Sequence, residues 1–222
     1  RLTLRFFAPE IQCLTFPAWD CLPYDRISPR PEIIGTRLAT LATLVEPERK
    51  PGCVVVTTVS AALQRIIPKK TLSTMVNQLR IGGQYDFSSF IQLLSSNGYR
   101  RSDTVREMGE FALRGDIIDV FPAGSHGPRR LDFFGDQLES IRAFDPISQR
   151  TVHNEGKIIS EITINAVSEV ILEGTTISQF RSAYRIAFGV AGDDDPLYTA
   201  VSAGQLYPGI EHWLALFHGK LD

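Results

Sequence analysis

The sequence is 222 residues long, 43% hydrophobic and 22% charged, which excludes a disordered chain and leaves room for one large domain or two modest ones. A formal charge of −2 and a pI near 6.1 exclude the whole-chain basic field with which nonspecific duplex binders displace counterions. Cys13, Cys21 and Cys53 form no C-x-x-C pair, so neither an even disulfide framework nor a cysteine zinc site is indicated, and reduced thiols in a cytoplasmic protein are expected.

The opening RLTLRFFAPE has no unbroken apolar core and no small-residue cleavage site, so it does not read as a signal peptide. Its first residue, Arg1 rather than Met, suggests a fragment of a longer chain. No apolar run approaches the roughly 18 residues needed to span a bilayer, and no membrane partner is expected.

Ile34, Leu38, Leu41 and Val45 recur at helical spacing after the stiff Pro29-Arg30-Pro31 entry and predict an amphipathic helix. CVVVTT, Cys53 to Thr58, is a β-branched run between Pro51-Gly52 and Ser60, which predicts a strand buried on both faces of a parallel sheet. Ala61 to Ile67 then reads as a second helix ended by Pro68. From about Thr71 the texture changes. A helix with Phe90, Leu93 and Leu94 on one face, stopped by Asn97-Gly98, leads into GEFALRG, DIIDVF, RRLDFF and QLESIRAF, close-set alternating runs that predict a small antiparallel sheet. After Arg150 the pattern is helical again. Ile177, Phe180, Tyr184 and Phe188 form one stripe ending at Gly189, and Ile210, Trp213, Leu214 and Phe217 form another after Pro208-Gly209. The fold class is α/β, with a parallel α/β domain interrupted by a small inserted α+β domain that contains an antiparallel sheet.

Motifs of catalysis are missing from this pattern. A nucleoside-triphosphate motor needs a glycine-rich loop ending in Lys-Ser or Lys-Thr, whereas Gly156-Lys157 and Gly219-Lys220 are followed by Ile158 and Leu221. Asp193 to Asp195 lacks a preceding buried strand and reads as a loop rather than a magnesium site. Gly124-Ser125-His126-Gly127 reads as a turn, and His212 and His218 lie outside the spacing that aims two imidazoles at one metal. Asp116 and Asp119 tend to opposite strand faces, which argues against a paired-carboxylate site. No catalytic residue, cofactor or metal is expected.

Between Arg100 and Arg150 there are eight arginines, no lysine and nine acidic residues. Selective use of the planar, five-donor guanidinium fits an interaction surface, and internal ion pairs with the neighbouring acids fit it equally well. Strand alternation sharpens the choice. In RRLDFF, Leu131 and Phe133 share one face, and Arg130, Asp132 and Phe134 the other; in GEFALRG, Phe111 and Leu113 turn in while Ala112 and Arg114 turn out. Arg114 sits beside Gly115 at a hairpin or bulge. Two outward arginines and an outward phenylalanine have the composition of a protein-binding hot spot, although Phe134 could equally pack against a helix.

The segments FPAWDCLPYDRISPRPEIIGTRLATLATL (Phe16 to Leu44), VVVTTVSAALQRIIP, GEFALRGDIIDVFPAG, RRLDFFGDQLESIRAFDPISQRT and GIEHWLALFH resemble, in that order, the amino-terminal region of bacterial transcription-repair coupling factors. The resemblance implies an architecture like that of the excision-repair helicase UvrB: a degenerate helicase-like domain over 1–74, an inserted domain over 75–160 and a return segment over 161–222. It implies that the inserted domain docks UvrA, with contacts at Arg114, Arg130 and Phe134. It also implies a longer protein that is an ATP-dependent DNA translocase and reaches RNA polymerase and duplex DNA through other domains. UvrB itself shares the R-G-x-x-I-D-x-F-P pattern, but it carries a phosphate loop and a long aromatic hairpin, and CLPYDRISPRPE between Trp19 and Ile33 is too short for that hairpin.

Overall fold

Helix α2 (Pro31–Val45) shows how the first part of the chain is held. Proline in its first turn suits a position whose backbone N–H has no helical partner, and Ile34, Leu38 and Leu41 turn inward together. The computed structural model describes residues 2–46, 52–152, 159–189 and 195–219. A short helix α1 (Leu2–Phe7) precedes strand β1 (Gln12–Phe16), which pairs in parallel with β2 (Cys53–Thr57), and α2 crosses between them.

Strand β2 belongs to a two-stranded sheet and is not buried on both faces. Its residues are half-buried or exposed and Val56 is 39% exposed, because only β1 flanks the strand among the described residues. The helix expected over Ala61 to Ile67 is also displaced. Thr58 caps a single turn, α3 (Val59–Ala62), with its hydroxyl accepting from the Ala61 N–H, and Pro68 begins the next helix, α4 (Lys69–Met75), instead of ending the previous one. Proline lacks the donor that a helix interior needs but costs little at a helix start.

The chain then enters β3 (Val76–Arg80), α5 (Phe87–Ser96), β4 (Arg100–Arg101), β5 (Glu110–Arg114), β6 (Ile117–Val120), β7 (Arg129–Phe134) and β8 (Gln137–Ala143), and returns through β9 (Glu161–Asn165). Strands β4 to β8 form one sheet in sequence order, antiparallel apart from the β4–β5 pair, and β3 pairs antiparallel with β9. The Asp86 side chain caps α5 by accepting from Ser89 N at 2.6 Å, and Gly98, at φ +87°, lets the chain leave past Asn97. Phe90 and Leu94 of this helix meet Phe111, Ile118, Leu131, Phe133, Leu138 and Ile141 on one face of the sheet, with the Phe87 and Phe133 rings 5.3 Å apart and edge-on.

Beyond β9 come α6 (Gly174–Phe188), α7 (Pro196–Ser202), a 3₁₀ turn (Ile210–Trp213) and α8 (Leu214–His218). Their buried residues, led by Phe180, Tyr184, Leu214 and Phe217, close a second core with Ile34, Leu38, Leu72 and Met75. Asp195 accepts from the backbone of Tyr198 and caps α7, while Asp193 and Asp194 lie outside the described residues. The architecture is α/β with a small α+β portion between two stretches that share a core.

Helix α2 touches the sheet portion at Gly35 and the return segment at Arg37. The α2 backbone at Gly35 lies against Ala123 and Gly124 with no room for a side chain, and Asn165 Nδ2 donates to Gly35 O and Ala123 O at 3.4 and 3.1 Å. Arg37, in phase with the apolar stripe of α2, is fully buried: Nε donates to Glu169 Oε1 at 2.5 Å, Nη1 donates to Pro17 O at 2.9 Å, and Cζ lies 4.3 Å from the Phe16 ring centre. Trp19 Nε1 donates to the same carboxylate oxygen at 3.2 Å.

Candidate functional site

The outer face of the five-stranded sheet carries the residues that sequence reasoning singled out. Arg114 ends β5 and Phe134 ends β7, and each is followed by a Gly-Asp pair that turns the chain in two residues: Arg114 faces Ile117, and Phe134 faces Gln137. Gly115 (φ +61°) and Gly135 (φ +59°) take the positive φ that the first central position of such a hairpin demands. Both turns lie at the same end of the sheet with β6 between them: Arg114 is level with Ile117 and Asp132, and Phe134 lies two strand spacings across and two residues further along, about 12 Å away.

Phe134 is 74% exposed while its neighbour Phe133 is in the core, so β7 keeps its alternation to the end. The irregularity opposite Asp132 and Phe133 falls on β8, where Ser140 and Leu138 are consecutive partners and Glu139 is the extra residue. Arg114 is exposed, and its side chain makes no hydrogen bond or ion pair among the described residues. Between the two, Ile117 is half-buried opposite Arg114 on one side and Asp132 on the other. Arg142, 45% exposed, donates to Asp132 at 2.6 Å and sits opposite Arg130 across β7 and β8.

Two residues read as outward from alternation are covered. Ala112 does lie on the outer face, but it is buried under Val105 and Phe144, which cross that face from the segments before β5 and after β8. Arg130 likewise lies on the outer face, yet its side chain is only 14% exposed. Its Nε and Nη2 donate to the two oxygens of Asp119 at 2.7 and 2.8 Å, and Cζ lies 5.0 Å from the centre of the Phe144 ring. Asp119, directly opposite on β6, is fully buried, and its hydrogen bonds raise the pKa of Arg130 further. Arg130 is therefore both an ion-pair partner and a surface group, and its truncation is not a clean surface change.

The covering segment is pinned by Glu110, which is 6% exposed. Its Oε2 accepts from the Arg106 and Glu107 N–H groups, each at 2.9 Å, and its Oε1 accepts from Arg100 Nη2 at 2.5 Å. Burial pushes the carboxyl up, but the backbone donors and Arg100 outweigh it and hold the pKa below the ordinary 4.5. A lowered carboxyl pKa stabilises the fold above the unfolded value, and that contribution is lost as pH falls through the lowered one. Glu110→Gln should therefore melt well below the parent at pH 6, and calorimetry should find the gap narrowing towards pH 3. A gap that stays constant with pH would contradict the assignment.

Elsewhere, Cys21 Sγ lies 3.7 Å from His212 Nε2, and burial together with Asp20, Glu211 and Asp25 pushes the thiol up, away from the reactive thiolate. Cys13, Cys21 and Cys53 are free. Among the described residues no three His, Cys, Asp or Glu side chains are placed to hold a metal, and no helix is long and apolar enough to cross a membrane.

The missed residues have identifiable signals. Ile117 and Arg142 belong to outward positions of strands that were recognised, and the repeated Gly-Asp after Arg114 and Phe134 marks two turns at one sheet end. Asp119 shows in the sequence only as a neighbour of Asp116, and its bond to Arg130 needs the β6–β7 register to be seen.

Comparison with known proteins bears on this geometry. A family model described as the UvrB interaction domain matches residues 78–169, from within β3 to just past β9. The transcription-repair-coupling factor of Escherichia coli (strain K12) is 38% identical over 202 residues, 91% of this chain and 17% of that protein. That of Haemophilus influenzae is 37% identical over 210 residues, 94% and 18% respectively, and that of Myxococcus xanthus 36% identical over 178 residues, 80% and 14%. The chain thus spans less than a fifth of the length of these curated relatives. With its five-stranded sheet inside the matched segment and its homology running through the flanking helices, this chain belongs to the transcription-repair-coupling factor family and carries that family's UvrB interaction domain.

Proposed function

We propose that this chain is a non-catalytic docking module that binds UvrA through the hairpin end of its five-stranded sheet, with Arg114, Arg130 and Phe134 as the anchoring residues. It needs no cofactor. In the longer protein the ATP-dependent translocase and the surfaces for RNA polymerase and duplex DNA lie outside this chain, and the module brings the excision-repair machinery to a stalled polymerase in the cytoplasm. The chain divides into a UvrB-like first domain over 1–74, the docking domain over 75–160 and a return segment over 161–222 that completes the first; the two separate hydrophobic cores support that division.

The observation that carries the docking assignment is Phe134, a large aromatic side chain left 74% exposed at the same end of the sheet as Arg114, whose side chain has no partner among the described residues. Aromatic and arginine anchors supply most of the binding energy at protein interfaces. Phe134→Ala and Arg114→Ala should each weaken binding to purified UvrA about thirtyfold, roughly 2 kcal/mol, and leave the melting temperature unchanged. Arg130→Ala should weaken binding and also lower the melting temperature, because it strands Asp119. Reversal to Glu at Arg114 should cost more than Ala, and that excess should shrink as salt rises. Parent-like UvrA affinity in both Phe134→Ala and Arg114→Ala, measured by calorimetric titration, would remove the assigned surface.

A further inference from the structure

Of the three proposed anchors only Arg130 is held from behind. Asp119 takes Nε–H and an Nη2–H in the parallel two-point geometry that fixes a guanidinium in its plane, while the Phe144 ring stands beside that plane and Gln149 O lies 3.4 Å from Nη2. The frame is itself pinned: Gln149, at φ +60°, donates from Nε2 to Val105 O at 2.9 Å and to Pro146 O at 2.7 Å. Nη1 is the one guanidinium nitrogen left without a partner among the described residues. An exposed arginine must be ordered when it binds, at a cost in side-chain entropy, whereas this one is ordered already.

We propose that Asp119 is a positioning residue: its buried carboxylate aims Nη1 of Arg130 at an acceptor on the partner, so Asp119 contributes to UvrA binding without touching UvrA. The proposal rests on the docking assignment above and makes it more specific. It fits a partner group that accepts a directed hydrogen bond, a carboxylate or a backbone carbonyl, rather than a diffuse negative field.

Long-range charge and positioning make opposite predictions. Asp119→Asn removes a negative charge from a face that carries Arg114, Arg130 and Arg142, so the field alone would tighten the grip on an acidic partner. Positioning requires the reverse.

The test is a double-mutant cycle on the whole chain, titrated against purified UvrA. Asp119→Asn should weaken binding about tenfold, within the range of coupled neighbours, and should have no effect once Arg130 is already Ala. Asp119→Glu guards against misfolding, since it keeps the charge pair but displaces the guanidinium by about one methylene; it should retain the parent's circular dichroism and still bind UvrA less tightly. Three results would overturn the proposal: parent-like or tighter binding by Asp119→Asn, parent-like binding by a folded Asp119→Glu, or an unchanged Asp119→Asn effect in the Arg130→Ala background. If Arg130→Ala itself binds UvrA like the parent, the docking role of Arg130 falls and the proposal falls with it. A weak Arg130→Ala beside a parent-like Asp119→Asn removes only the positioning role.

Discussion

Arg37→Ala should lower the free energy of unfolding by about 3–5 kcal/mol, the usual consequence of removing one partner from a buried ion pair. Arg37 and Glu169 are 0% and 1% exposed in their side chains, so the stranded carboxylate cannot recover its hydration. The loss spreads because Trp19 and the Pro17 carbonyl share the same pair. Replacing the pair together, Arg37→Met with Glu169→Leu, should recover most of the stability, since apolar groups of similar volume carry no desolvation penalty. Urea titrations of the single and double variants, followed by tryptophan fluorescence, give the measurement. A double variant no more stable than Arg37→Ala would mean that the pair supplies net stability rather than satisfying its own burial.

Gly35→Ala should destabilise the chain although alanine is the better helix former by about 1 kcal/mol. A Cβ at Gly35 would stand 2.5 Å from Ala123 O and closer still to the Ala123 carbonyl carbon. Both obstacles are backbone, so no rotamer relieves them and either α2 or the 122–125 segment must move. Overpacking of this kind costs about 1–3 kcal/mol, enough to reverse the propensity gain. The movement would also stretch the Asn165 bridge to Gly35 O and Ala123 O. Hydrogen exchange should show faster opening around residues 122–125 and at α2, with α5 and the strands β6 and β7 little changed. A Gly35→Ala variant that melts at or above the parent's temperature would rule out the close backbone approach.

The parts legible in the sequence are those whose partners lie nearby in the chain. The α2 and α5 stripes and the runs that became β5 to β8 display their periods within a few residues, and each strand pairs with the next. VNQLR and EITIN become strands β3 and β9 only when brought together from positions 81 to 89 residues apart, Val76 opposite Asn165 and Arg80 opposite Glu161, so neither segment announces the sheet by itself. Alternation predicted the facing of Phe133 and Phe134 and of Phe111, but it cannot know what lies over a face. Val105, Phe144 and Gln149 cover Ala112 and half-enclose Arg130, and nothing local in FALRG or RRLDFF announces them. Arg37 was legible in principle, since a charged residue in phase with Ile34, Leu38 and Leu41 must find a buried partner; what the sequence withheld was the identity of that partner, 132 residues away.

The pairing of β3 with β9 places Arg80 directly opposite Glu161, with the side chains 3.2 Å apart. The eighty residues between them therefore leave and rejoin the chain at nearly one point, like a loop of rope through a single ring. A two-residue turn of the type already used after Arg114 would bridge that ring without redirecting either strand. Such a stitch is the minimal edit that would delete the five-stranded sheet while keeping the flanking strands antiparallel, and the same geometry lets that sheet be lengthened, shortened or exchanged with the remaining polypeptide left in register.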